Sequence, residues 1–173
     1  MKAAEEFDRL VRGAGRYTDD VVLPGALHGA FVRSPHAHAR IGAIDASAAR
    51  AVPGVVAVLA AADMDVAAPF PAVAHHPLLP PESLCVPPRG ALAAERVRYV
   101  GEAVALVVAE DRAAALEAAE AVAVDYDPLP AVLAPIDGDG AAAVALHEAV
   151  PDNVAMDATI GDHAAVEADL AAA

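Results

Sequence analysis

Two stretches of the chain carry the clearest pattern of apolar and polar positions, and each gives strand, helix and strand in that order. In the first, "ARIGAIDASAARAVPGVVAVLAAADM", a strand is predicted to end at Ile44 and a short helix to run to about Ala51, with Asp45 or Ser47 offering the N-cap oxygen. Pro53-Gly54 stops that helix, and Val55–Leu59 has the apolar, β-branched character of a buried strand. In the second, "VRYVGEAVALVVAE" gives two strand-like runs that meet at Gly101-Glu102. "DRAAALEAAEAV" follows as a helix of good helix formers with Asp111 as its N-cap. "AVDYDPLPAVL" is then a strand ending at the Asp127-Pro128 break, with a short run on to Leu133.

Around these units the pattern is weaker. "MKAAEEFDRLVR" reads as a charged lead-in, Val21–Leu23 as a short strand, Pro24-Gly25 as a type II turn, and Ala26–Arg33 as a further strand. Residues 66–94 hold seven of the fourteen prolines and show no periodicity. That stretch is too long for an ordinary connection, so an extended arm or insertion lying over a surface, of this or another subunit, is expected. Past Asp137 the pattern fades into loop, and "GDHAAVEADLAAA" closes as one weak helix. The expected class is α+β, with two strand–helix–strand units and a proline-rich insertion.

Composition narrows the chemistry. Hydrophobic residues make up 57% of the 173, but aromatics only 3%, so the core must be built from Val, Leu, Ile and Ala. A net charge of -14 argues against a nucleic-acid partner, which calls for clustered Lys and Arg. All eleven basic residues lie at or before Arg112, and the twelve acidic residues beyond it face no Lys or Arg; a solubilising surface is the simplest reading. The single cysteine, Cys85, excludes an internal disulfide and any multi-cysteine metal site. Neither a leader pattern nor a membrane-spanning run is visible, which predicts a soluble, cytoplasmic protein with no membrane partner.

Motifs that carry chemistry are scarce. Gly13 and Gly15 lack the third glycine and the preceding strand of a dinucleotide loop, and Lys2, the only lysine, belongs to no phosphate loop. Of the seven histidines, His36 and His38 would share a face if "SPHAHAR" is extended, but no carboxylate stands at ligand spacing. "HEAVPD" places Pro151 where a zinc helix needs its second histidine. Glu102, the lone carboxylate beside a glycine and an apolar run, has no sequence companion that would make it a base.

Taken in order, R-S-P-H-A-H-A, P-G-V, R-Y-V-G-E and D-Y-x-P-L-P resemble the opening of the molybdenum-containing large subunit of the xanthine dehydrogenase, aldehyde oxidase and carbon monoxide dehydrogenase family, from about Gly15 to Asp162. The resemblance implies an α/β hammerhead domain over residues 15–136, after a lead-in 1–14 and before an extension 137–173 that ends ahead of the molybdopterin-binding domains. It implies an oxidoreductase subunit or fragment that packs against a molybdopterin-binding chain, with iron–sulfur clusters and FAD on other subunits and no cofactor held by this chain alone. The family's catalytic base is also a glutamate after a glycine, but "VGE" here matches the hammerhead's own motif, so Glu102 is not assigned as the base. No catalytic, cofactor-binding or metal residue is assigned. Arg33, His36, His38, Arg98, Gly101 and Glu102 are the candidate interface residues. Many members have proline after that glutamate where this chain has Ala103. The alternative is a free-standing, non-catalytic binding or scaffold module, or a truncated remnant; an orphaned subunit would expose an apolar patch that an independent module would have closed.

Overall fold

The computed structural model describes residues 2–64, 85, 87, 89–133, 144–156 and 161–172. Its strands form two three-stranded sheets in which every pairing is antiparallel. The first has the order β1 (His28–Arg33), β5 (Ala103–Ala109), β3 (Val55–Ala60), and the second β4 (Arg96–Val97), β2 (Ala39–Asp45), β6 (Ala123–Pro128). The described helices are α1 (Lys2–Val11), α2 (Ser47–Arg50), α3 (Arg112–Glu120) and α4 (His163–Ala172).

Both strand–helix–strand units are present, but neither stays within one sheet. β2–α2–β3 runs from the second sheet to the first and β5–α3–β6 runs back, so β3 pairs with β5 and β2 with β6. The link from Asp45 to Val55 is shorter than the dozen or so residues that a parallel crossover requires, which leaves a switch of sheet as the route open to the chain.

Small side chains set the packing. α2 and α3 lie on one side of the first sheet, where Ala49, Ala114, Ala115 and Ala118 meet Ala30, Val58, Val107 and Ala109. Alanines on α3 let its backbone come close to the strands, and the valines fill what remains. Ala39, Ala93, Val97 and Val104 make a second cluster that ties β2 and β4 to β5. Val97, Val104 and Val107 are fully buried, each worth about 1.5–3 kcal/mol relative to exposure.

Several local expectations hold. Asp111 caps α3, its Oδ1 accepting from Ala114 N at 2.9 Å. Pro24-Gly25 makes its turn, with Ala26 N donating to Leu23 O at 3.1 Å and φ 77° at Gly25. Others are corrected. Ala46 is the N-cap position of α2, and Asp45 instead accepts from Ser47 N one step earlier, at 2.8 Å. That bond and the Ser47 hydroxyl hold the Asp45 carboxyl below its ordinary value. The charged lead-in is helix α1, and Val21–Leu23 belongs to no ladder and is exposed, its β-branched character finding no partner strand. Most of the proline-rich stretch, residues 65–84 with 86 and 88, lies outside the described residues. Its far end is part of this chain's own core, since Leu92 and Ala93 are buried.

Candidate functional site

The stretch after β1 folds back on the turn before β5. A register shift between Val32 and Arg33 disturbs the ladder at the end of β1, and the Arg33 side chain reaches the Gly101 carbonyl, Nη1 donating at 2.8 Å. Its guanidinium also lies 5.3 Å from the Phe31 ring centroid. Buried Ser34 pins the same turn from its backbone, N donating to Glu102 O at 2.9 Å and O accepting from Gly101 N at 2.8 Å. Residues 99–102 close as a turn in which Glu102 N donates to Tyr99 O, with φ 90° at Gly101. A side chain at that φ would be strained, which is why glycine stands there.

The two histidines part company because the chain bends between them. His36 rests against Tyr126, ring centroids 4.9 Å apart. Burial pushes the Tyr126 hydroxyl up, against a lowering hydrogen bond from Ser34. His38 is buried, with Nδ1 2.7 Å from Pro130 O and its backbone O accepting from Leu129 N. Pro130 O can only accept, so Nδ1 donates, and Nε2 is buried with no partner among the described residues.

Glu102 now has a reason. Its Oε2 accepts from Arg98 N at 2.5 Å, so the carboxylate satisfies a backbone donor at the entry to the turn. Arg98 in turn ties down a distant segment, Nε donating to Leu146 O at 2.7 Å and Nη1 to Arg96 O at 3.2 Å. An open cleft of about 250 Å³ lies beside them, lined by Arg89, Arg96, Arg98, Glu95, Glu102 and His147 among others. His147 is held below its ordinary pKa, first by burial and then by Arg98 and Arg89. Three arginines and two glutamates line it, and no ion pair joins them among the described residues. Arg89, Arg96 and His147 escaped sequence reasoning because no local motif joins them.

Among the described residues no three His, Cys, Asp or Glu side chains gather as a metal-ligand set. His75 and His76 lie outside those residues, and Cys85 is exposed with Sγ 3.5 Å from Ala149 O.

The model of the aldehyde oxidase and xanthine dehydrogenase a/b hammerhead domain matches residues 12–130, which take in both sheets and the whole of the Arg33–Gly101–Glu102 knot. The chain belongs to this family.

The hammerhead chain is 45% identical over 146 residues to the carbon monoxide dehydrogenase large chain of Afipia carboxidovorans, covering 84% of this chain and 17% of that one. To the xanthine dehydrogenase molybdenum-binding subunit of Escherichia coli O157:H7 it is 38% identical, covering 72% and 16%. Among solved structures it is similar to the Cu,Mo-CO dehydrogenase in its carbon monoxide reduced state, with a TM-score of 0.73, 39% identity and coverage of 96% and 21%. The hammerhead chain therefore spans about a sixth of the curated relatives it matches. No described helix is long and apolar enough to cross a membrane.

Proposed function

We propose that this hammerhead domain works as a part of a molybdenum hydroxylase that packs against a molybdopterin-binding chain and leaves the chemistry to it. The observation that carries the reading is the use to which the turn before β5 is put. Glu102, the one glutamate that directly follows a glycine and so the one the family's chemistry would recommend as a base, commits its Oε2 to Arg98 N, and the turn around it is tied to Arg33 and Ser34. A general base needs reach to a substrate proton, and this one is committed to holding backbone. Arg33, His36, Arg98, Gly101 and Glu102 then shape a contact surface, with buried His38 fixing the chain after β6 behind them.

In this reading the molybdopterin cofactor belongs to the partner chain, and none of the described residues is assigned to it. In the assembled enzyme that group would supply the centre at which a water-derived oxygen enters a carbon substrate, with electrons leaving through iron–sulfur and FAD subunits. This chain contributes shape and support.

Co-expression of the tagged chain with a molybdopterin-binding chain, followed by size exclusion, tests the reading. The expected result is one peak holding both chains in fixed ratio. Elution of the tagged chain alone, as a small monodisperse protein, would contradict it.

A further inference from the structure

An antiparallel sheet with helices on one side ordinarily shows polar residues on the other. The first sheet does not. Alternation puts Ala30, Val58, Val107 and Ala109 against α2 and α3. The opposite side then carries two rows across the strands, Phe31–Leu106–Leu59 and Gly29–Val108–Ala57. Leu106 leans over Gly29 on that side, its Cδ1 lying 3.4 Å from where a Cβ would stand. Neither row holds a polar side chain, and β5, "AVALVVA", is apolar throughout, the signature of a strand meant to be covered on both faces. On this side Val104, at the start of β5, is already buried against Ala39, Ala93 and Val97 of this chain. Beyond it Leu59, Leu106 and Val108 are half-buried and Phe31 is 49% exposed, so the uncovered part of the face is the end around Phe31.

Two observations bear on the occupant of the face. In the relatives, one of them a molybdenum-binding subunit, the matched stretch is about a sixth of the chain, so the remaining length is a candidate neighbour for it. At the rim, Arg33 spends one donor on Gly101 O and leaves Nη2 and Nε without a partner among the described residues. We propose that the Phe31–Leu106–Leu59 face is the docking surface for the molybdopterin-binding chain, which meets it with an apolar patch and sets a carboxylate or carbonyl oxygen against Arg33. This deepens the packing role proposed above and rests on it.

Thiol labelling tests it. Phe31→Cys, in a Cys85→Ser background, is labelled with a maleimide in the free chain and in the co-expressed assembly, beside Glu117→Cys on the exposed side of α3 as control. The expected result is fast labelling of Phe31→Cys in the free chain and labelling roughly tenfold or more slower in the assembly, with the control unchanged. Equal rates at Phe31→Cys in an assembly that still co-elutes would overturn the face and leave the packing role standing. Failure of the unmutated chain to co-elute would remove the packing role, and the face with it. Slow labelling already in the free chain would mean that the face is closed within this chain or by a second copy, which sedimentation distinguishes; either overturns the proposal. Leu59→Cys repeats the measurement if Phe31→Cys fails to fold.

Discussion

Arg33 donates from Nη1 to the Gly101 carbonyl at 2.8 Å, although the two residues stand 68 positions apart in the chain. The bond joins the end of one edge strand to the turn that launches the central strand of the same sheet. Gly101 meets no neighbour within 4 Å of a Cβ, so the demand on it is conformational and not steric. Gly101→Ala should therefore destabilise by about 1–2 kcal/mol, the strain of a left-handed residue carrying a side chain. Urea denaturation reads this as a lower midpoint at unchanged slope, and an unchanged midpoint would contradict it.

Glu102 separates a structural carboxylate from a catalytic one. Glu102→Ala leaves the half-buried Arg98 N–H without its acceptor and should cost about 1–2 kcal/mol. Glu102→Gln keeps an oxygen there and should cost less. Turnover of the assembled enzyme should survive Glu102→Gln; a loss of about 10²-fold or more would mark the residue as a base after all.

The cap of α3 makes a cleaner test of local energetics. Asp111→Ala should lower stability by about 1 kcal/mol, because Ala114 N then lacks its acceptor, while Asp111→Asn should hold close to the parent. Equal losses in the two variants would show that the charge, and not the capping bond, is what matters.

His147 gives the fold a pH dependence of definite sign. Burial, then Arg98 and Arg89, lower its folded pKa from the ordinary 6.5, so the native state prefers the neutral ring. The stabilisation is complete above 6.5 and is lost as pH falls from there through the lowered folded value, because the unfolded chain takes up the proton first. The protection factor of the Leu146 amide, whose N donates to Asn153 Oδ1, should fall over that window once the intrinsic pH dependence of exchange is divided out, and His147→Gln should flatten the change.

Much of this architecture was legible in the chain, and the part that was not has a physical reason. Runs such as Val55–Ala60 and Ala103–Ala109 announce strands because periodicity and β-branching are local. Pairing is not local, so nothing in "ARIGAIDASAARAVPGVV" says that its two strands enter different sheets. Helix α1 was hidden by its charges, although Phe7, Leu10 and Val11 stand at helical spacing. At the site, Gly101 and Glu102 could be singled out as an odd pair within an apolar run. Their bonds to Arg33, Ser34 and Arg98, and the approach of His147 from the segment at 144–156, come from tertiary packing alone.

The measurement that bears most directly on the account is molybdenum content per tagged chain, by elemental analysis of the co-expressed assembly after size exclusion. Molybdenum should run in fixed proportion to the hammerhead chain across the peak, with none on the chain purified by itself. Molybdenum eluting apart from the tagged chain would contradict it.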